Sequence, residues 1–509
     1  MLIFNNFYII YSKNFIFLPE IFLSICILIL VLYNVFCIEK FSPFYTFIFL
    51  IYSIFSILVT LFLVTLTGYS TYCHDFFLIN YKISFIQITI LLTSLICLVL
   101  FRRSLTKSRT NCLSYFIFYL FTLLVCLIIT MVNISNIFFL FLSLEFVVIC
   151  FYILSSFNFN NFGFLVFRFI PRRKLLYLSA LTAFTGLLFY TYLNNLILNK
   201  FLDCHFSYIF ILKNQEYCLI IGIILISISL VLKIIAFHSP TNFIYYKKTP
   251  VITIIYMHLV PKILFFYFFS ELVLLNPDFI YYRYFIHLVV FCMSLVCLVI
   301  SIGMRRLFLK HYLEYLSLVN SGYLLLCFTP LNLNSLIFSI YFLCFYILII
   351  LIYGGILLFF DDKNYPGFRV SFDTILIDID KKDYYSIIIL ILIFFFCGMP
   401  PTRKDYPSSR GIPFSGFAPQ LLLFQSLLLG EMYLVSFFLI FFNSILFFFA
   451  FWTILPFWQE RYKNHFSLSS PKYFNPLLKE FTIVCLLGFL LILQFDSTLI
   501  FKYIQIFYN

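Results

Sequence analysis

The chain has 509 residues, of which 64% are hydrophobic and 10% charged, with a mean hydropathy of +1.08 and a formal net charge of +13. Apolar runs of roughly 18 residues or more recur from end to end, which excludes a soluble globular protein and describes an all-α polytopic membrane protein. The bases are scattered over short loops without forming a basic face, so the positive charge speaks for orientation in a bilayer and against nucleic-acid binding.

The first span is expected over 17–36, opening on Leu18-Pro19-Glu20. Proline is tolerated in a first helical turn, and a glutamate there suits the helix dipole. Met1–Tyr11 shows no basic region followed by a small-residue cleavage site, so no removable signal is expected. Further spans are predicted over 43–66, 83–101, 113–132, 135–155, 175–194, 217–238, 249–270, 281–304, 308–329 and 334–360. A polar stretch, Asp361–Asp383, leads to a broken element over 384–430 with an insertion at 402–410, and spans over 432–456 and 480–499 complete fourteen. The single integral membrane domain so described covers 1–509.

Charge supports that count. Lys and Arg on the side reached after the odd-numbered spans number 22, from Lys40 through Arg102, Arg172 and Arg305 to Lys479. The opposite side, with both termini, carries 6: Lys13, Lys82, Lys200, Lys213, Arg283 and Lys502. A miscounted helix would scramble this alternation. The 15 cysteines lie mostly inside apolar runs, and the close pair Cys292 and Cys297 lacks metal-ligand spacing, so they are read as small buried hydrophobes. Phe 75 and Tyr 38 against Gly 14 and Trp 2 point to an A/T-rich genome of organellar type, a genetic inference.

Charge buried in the spans is where chemistry is expected. A charged side chain near the bilayer centre costs roughly 2.5–3.5 kcal/mol on insertion scales, so it is a functional candidate by default. Lys233 sits deep in the seventh span, which then meets His238-Ser239-Pro240, where proline removes a backbone donor and the helix should break. Lys262 lies near the middle of the eighth span, and His258 precedes it by four residues on the same face, with Pro261 between them. The bland role for both lysines is a snorkelling side chain, for which they lie too deep. His238 is the better proton relay of the two histidines, since imidazole titrates near neutral pH; His258 is equally a structural residue. Glu145 has no basic residue on its own helix, so it is either satisfied by hydroxyls or charged beside a lysine of another helix. Lys310 and Glu314 are four apart and can pair, either at the interface or in a proton path; Lys174 opens the sixth span as an interfacial candidate. No phosphate loop, dinucleotide fingerprint, zinc spacing or nucleophile–base pair is present, so no cofactor, metal or soluble small-molecule substrate is expected on this chain.

Five fragments in order resemble subunit 2 of respiratory NADH:ubiquinone oxidoreductase (complex I), an antiporter-like membrane subunit family. FLPEIFLSICILILVLYNVF resembles its opening helix, and NIFFLFLSLEFVVICFYIL its fifth, placing Glu145 on the family glutamate. LVLKIIAFHSP places Lys233 on the broken-helix lysine, TPVITIIYMHLVPK places Lys262 on the next, and LKHYLEYLSLVNSGYLLL resembles the tenth helix. Lys174 falls near the sixth-helix lysine. The Lys233–His238 interval is two residues shorter than the family pattern and Thr249–Lys262 two longer. CGMPP and GIPFSGFAPQ resemble one family motif split by an insertion, and the lysine expected after its Gly-Phe falls on Gln420.

The resemblance implies an antiporter-like bundle with two broken helices in the mitochondrial inner membrane, partnered by the lipid bilayer and other membrane-arm subunits. It implies proton transfer with Glu145 tuning and Lys233 and Lys262 carrying, while NADH, FMN, iron–sulfur clusters and ubiquinone belong to other subunits. Glutamine cannot take up a proton as lysine does, so Gln420 is expected among polar groups or water. The alternatives are a sister antiporter-like subunit, a stand-alone cation/proton antiporter, or a structural subunit that no longer pumps.

Overall fold

In the computed structural model the described residues are 17–37, 43–66, 70–72, 77–79, 81–107, 112–130, 251–274, 309–327 and 333–361, most of 417–448, and a few positions between 146 and 154. Apart from one short antiparallel hairpin, β1 (Ser70–Tyr72) with β2 (Phe77–Ile79), they are helical. The helices are α1 (Leu18–Cys37), α2 (Pro43–Leu66), α3 (Tyr81–Lys107), α4 (Cys112–Thr130), α5 (Val251–Leu274), α6 (Leu309–Cys327), α7 (Leu333–Asp361) and α8 (Phe417–Leu429). A further helix, α9, covers Tyr433–Ile445. Among these, α1, α2, α3 and α7 are long and apolar enough to cross a membrane. The chain divides into two units, Met1–Phe268 and Phe269–Asn509.

In the first unit α1 to α4 pack against one another, α2 most extensively on α3. The buried positions recur every seven residues: Leu23 and Leu30 on α1; Leu50, Ile57 and Val64 on α2; Ile83, Ile90 and Cys97 on α3. That period is the seam of helices crossing at a shallow angle. The opposite faces of α1 and α2 expose Ile21, Ile25, Leu28 and Leu32, and Phe55 and Phe62, as helices bordering lipid require.

Polar groups inside this bundle are satisfied locally. The buried hydroxyls of Ser53, Ser56 and Thr60 each donate to the carbonyl three residues back, at 2.9, 2.8 and 2.8 Å. Their hydroxyls therefore need no partner from another helix. Other side chains reach across to a neighbouring helix. The Tyr52 hydroxyl donates to the Cys26 carbonyl at 3.0 Å, tying α2 to α1, and Gln87 Nε2 donates to the Thr130 carbonyl at 3.1 Å. The second contact satisfies a carbonyl at the end of α4, which the helix itself leaves without a donor. α3 runs past its apolar stretch over Arg102, Arg103 and Lys107, so the basic segment begins as helix. Arg and Lys are good helix formers, and they suit the negative end of the dipole.

In the second unit α7 packs on both α6 and α8. Its apolar window is 89% buried, against 28% for α1, so α7 is an interior helix and α1 a peripheral one. The turn from α8 to α9 is made by Gly430, Glu431 and Met432. Met432 N donates to the Leu427 carbonyl at 3.0 Å and Glu431 N to the Leu428 carbonyl at 3.1 Å. This pair of bonds closes a helix on a left-handed residue, here Glu431 at φ 59°. A glutamate is held there because both flanking helices over-determine the turn.

Candidate functional site

α5 carries the one pair of expected site residues whose side chains are both described. It is buried all round: Ile254, Ile255, Leu259, Val260, Ile263 and Leu264 lie at most 3% exposed. Within that shell His258 is 1% and Lys262 3% exposed, one turn apart on one face. The Lys262 ammonium therefore does not reach the protein surface as a snorkelling side chain would. Pro261 lies inside this helix and cannot donate to the carbonyl of Met257 four residues back. An interrupted hydrogen-bond ladder thus lies within two turns of a buried amine and a buried imidazole.

The opening half of α5 buries Tyr256 completely. Its fully buried phenol meets the Cys126 thiol of α4, which donates to Ser94 Oγ of α3 at 3.5 Å. Cys97 and Cys150 lie close by. The thiols act here as small packing groups with weak hydrogen-bonding capacity. Neither Tyr256 nor Cys126 stood out in the sequence, where tyrosines and cysteines are scattered through every apolar run.

A second polar group lies in the other unit. Gln420 on α8 is 7% exposed, and Asn443 Nδ2 of α9 donates to its Oε1 at 3.2 Å. Asn443 Oδ1 in turn accepts a hydrogen bond from the hydroxyl of Tyr323 on α6. The Tyr323 ring is fully buried and meets Phe342 of α7 edge-on, with centroids 6.0 Å apart. One hydroxyl and two amides thus join α6, α9 and α8, with α7 behind them. The expectation of polar groups about Gln420 is met by Asn443. Sequence reading missed Asn443; its signal was an amide alone in the apolar run SFFLIFFNSILFFFAF.

Lys310 and Glu314 fall on the first two turns of α6, four residues apart; their side chains lie outside the described residues. Glu145, Lys174, Lys233 and His238 also lie outside the described residues. Among the described residues no group of three or more metal-ligating side chains is present.

No family model and no curated protein matches the sequence. Solved structures do match over most of the chain. A chain of respiratory complex I from Thermus thermophilus aligns with a TM-score of 0.66 at 15% identity, covering 95% of this chain and 98% of that one. A chain of the Mrp complex from Dietzia sp. gives 0.61 at 12% identity, over 90% and 82%. One from the membrane-bound sulfane sulfur reductase, an archaeal respiratory membrane complex, gives 0.61 at 14%, over 94% and 74%. At such identities the likeness is one of fold: the chain shares its all-α, polytopic fold with a chain of each of these assemblies.

Proposed function

We propose that this chain is a proton-translocating membrane-arm subunit of respiratory NADH:ubiquinone oxidoreductase, corresponding to subunit 2, in the mitochondrial inner membrane. The observation that carries this reading is the buried Lys262 beside Pro261 and one turn from His258, in a chain that shares its fold with a complex I subunit over 95% of its length. An amine so placed is retained for charge transfer, since a hydrophobic residue would pack there without the desolvation cost. The order of the family-like fragments around Glu145, Lys233 and Lys262 supports subunit 2 in particular.

In this reading Glu145 favours the charged form of Lys233, and separating the two releases the proton towards Lys262. Water and polar groups at the helix breaks complete the path, because lipid offers no partners. Electron transfer takes place on other subunits, which hold FMN, the iron–sulfur clusters and ubiquinone; the chain itself contributes to a translocase without redox chemistry. The skewed composition fits a mitochondrially encoded protein.

The test is to purify the native membrane complex and ask whether this chain co-migrates with NADH:quinone oxidoreductase activity. Transport by the chain reconstituted alone would favour a stand-alone cation/proton antiporter. A structural subunit that no longer pumps is the reading favoured by the neutral Gln420; unchanged proton stoichiometry in a fully assembled Lys262→Met complex would establish it.

A further inference from the structure

We propose that Tyr323, Asn443 and Gln420 form a proton-insulating clasp at mid-membrane depth, which holds α6, α8 and α9 together and bars protons from that part of the chain. The inference rests on reading the chain as a membrane subunit with a proton path, and it assigns these residues a positioning and sealing role outside that path.

Depth follows from the hairpin. Glu431, an exposed carboxyl side chain, marks the turn between α8 and α9 as the end that faces water. Gln420 precedes it by eleven residues and Asn443 follows it by twelve. At about 1.5 Å per residue both lie about 17 Å from the turn, in antiparallel helices and so at one level. That is close to half of a roughly 30 Å hydrocarbon core.

Chemistry follows from the groups. A proton moves along a hydrogen-bonded chain only if each link takes up a proton on one side and releases one on the other. Water and hydroxyl do so at a single atom, whereas an amide accepts at oxygen and donates at nitrogen. Two amides in series, Asn443 Nδ2 to Gln420 Oε1 at 3.2 Å, interrupt such a relay. Turning both amides over reverses the direction of the chain and leaves this property unchanged. Direct contact between the two amides also leaves no place between them for a bridging water.

The experiment uses the purified native complex in sealed liposomes without NADH, with passive proton flux followed after an acid jump. Asn443→Ala opens a space between the Tyr323 hydroxyl and the Gln420 amide that is polar enough to hold a water. Asn443→Leu fills the same space with apolar atoms. The clasp predicts several-fold faster proton entry for the alanine variant than for the native complex, and no rise for the leucine variant. If the alanine variant fails to assemble, Gln420→Ala, which also opens the amide pair, predicts the same rise, whereas Tyr323→Phe, which leaves the pair intact, predicts native flux. Loss of stability with native flux in every assembled variant would overturn the sealing role. A fall in protons pumped per electron pair in the leucine variant would overturn it too, by placing the clasp in the path. Because flux is read without turnover, failure of the oxidoreductase reading leaves this result interpretable.

Discussion

The surroundings of Lys262 and of Gln420 put two different solutions to the same problem in one chain. Both are polar side chains buried in apolar helices, 3% and 7% exposed. Lys262 keeps an ionisable amine there, next to a proline inside its helix. Gln420 keeps a neutral amide, closed off by Asn443 and through it by Tyr323. A cation at membrane depth costs roughly 2.5–3.5 kcal/mol on insertion scales, whereas an interhelical hydrogen bond in a membrane contributes about 0.6 and at most about 1.7 kcal/mol. In its charged form the first arrangement carries a cost that a functional role would explain; the second is stabilising on its own.

The comparison can be broken most forcefully at the lysines. Replacing Lys233 by Met removes the charge and keeps most of the volume, so the complex should assemble while proton pumping in vesicles falls steeply. Normal pumping with normal assembly would place Lys233 among structural residues. Importing a charge into the neutral site is the converse test. Gln420→Lys sets an ammonium against the Asn443 amide, and about 2.5–3.5 kcal/mol of destabilisation is expected. The measurement is the yield of intact complex on native gels, and an undiminished yield would show that the second site can host a cation.

Smaller effects sharpen the picture. Tyr323→Phe deletes one hydrogen bond and leaves the edge-on contact with Phe342, so a loss of about 0.6–1.7 kcal/mol is expected as a modest drop in the thermal midpoint of the complex. Tyr256→Phe should do less, since its phenol meets a weakly bonding thiol. A larger loss for Tyr256→Phe than for Tyr323→Phe would show a stronger bond at the Tyr256 phenol than a thiol supplies. The proposed function also fixes a topology to test: in sealed mitochondrial membranes, a Lys107→Cys variant at the end of α3 should be labelled from the matrix side and protected from the intermembrane space.

Much of this was legible in the sequence because membrane helices are written in composition. α1 begins at Leu18, where Pro19 and Glu20 announce a first turn, and α7 fills the long apolar run that ends at Asp361. Lys262 and His258 were visible as polar residues at helical spacing in an apolar span, a local pattern. What escaped was whatever depends on which helices meet. Tyr323 and Asn443 are 120 residues apart, and nothing in either neighbourhood names the other. Tyr256 and Cys126 are hidden for the same reason. Gly430 marks the end of α8 in the sequence, yet the left-handed residue is Glu431, because the hydrogen bonds to Leu427 and Leu428 set the turn one position later.

The most direct measurement counts protons pumped per electron pair by the reconstituted native complex in two single variants, Lys262→Gln and Gln420→Leu. The first gives α5 the neutral chemistry of α8, and the second removes the amide from α8 altogether. A marked fall for Lys262→Gln with a much smaller change for Gln420→Leu is the predicted result. An equal fall in both, or a fall confined to Gln420→Leu, would contradict the account, because protons would then pass where the structure holds a closed pair of amides.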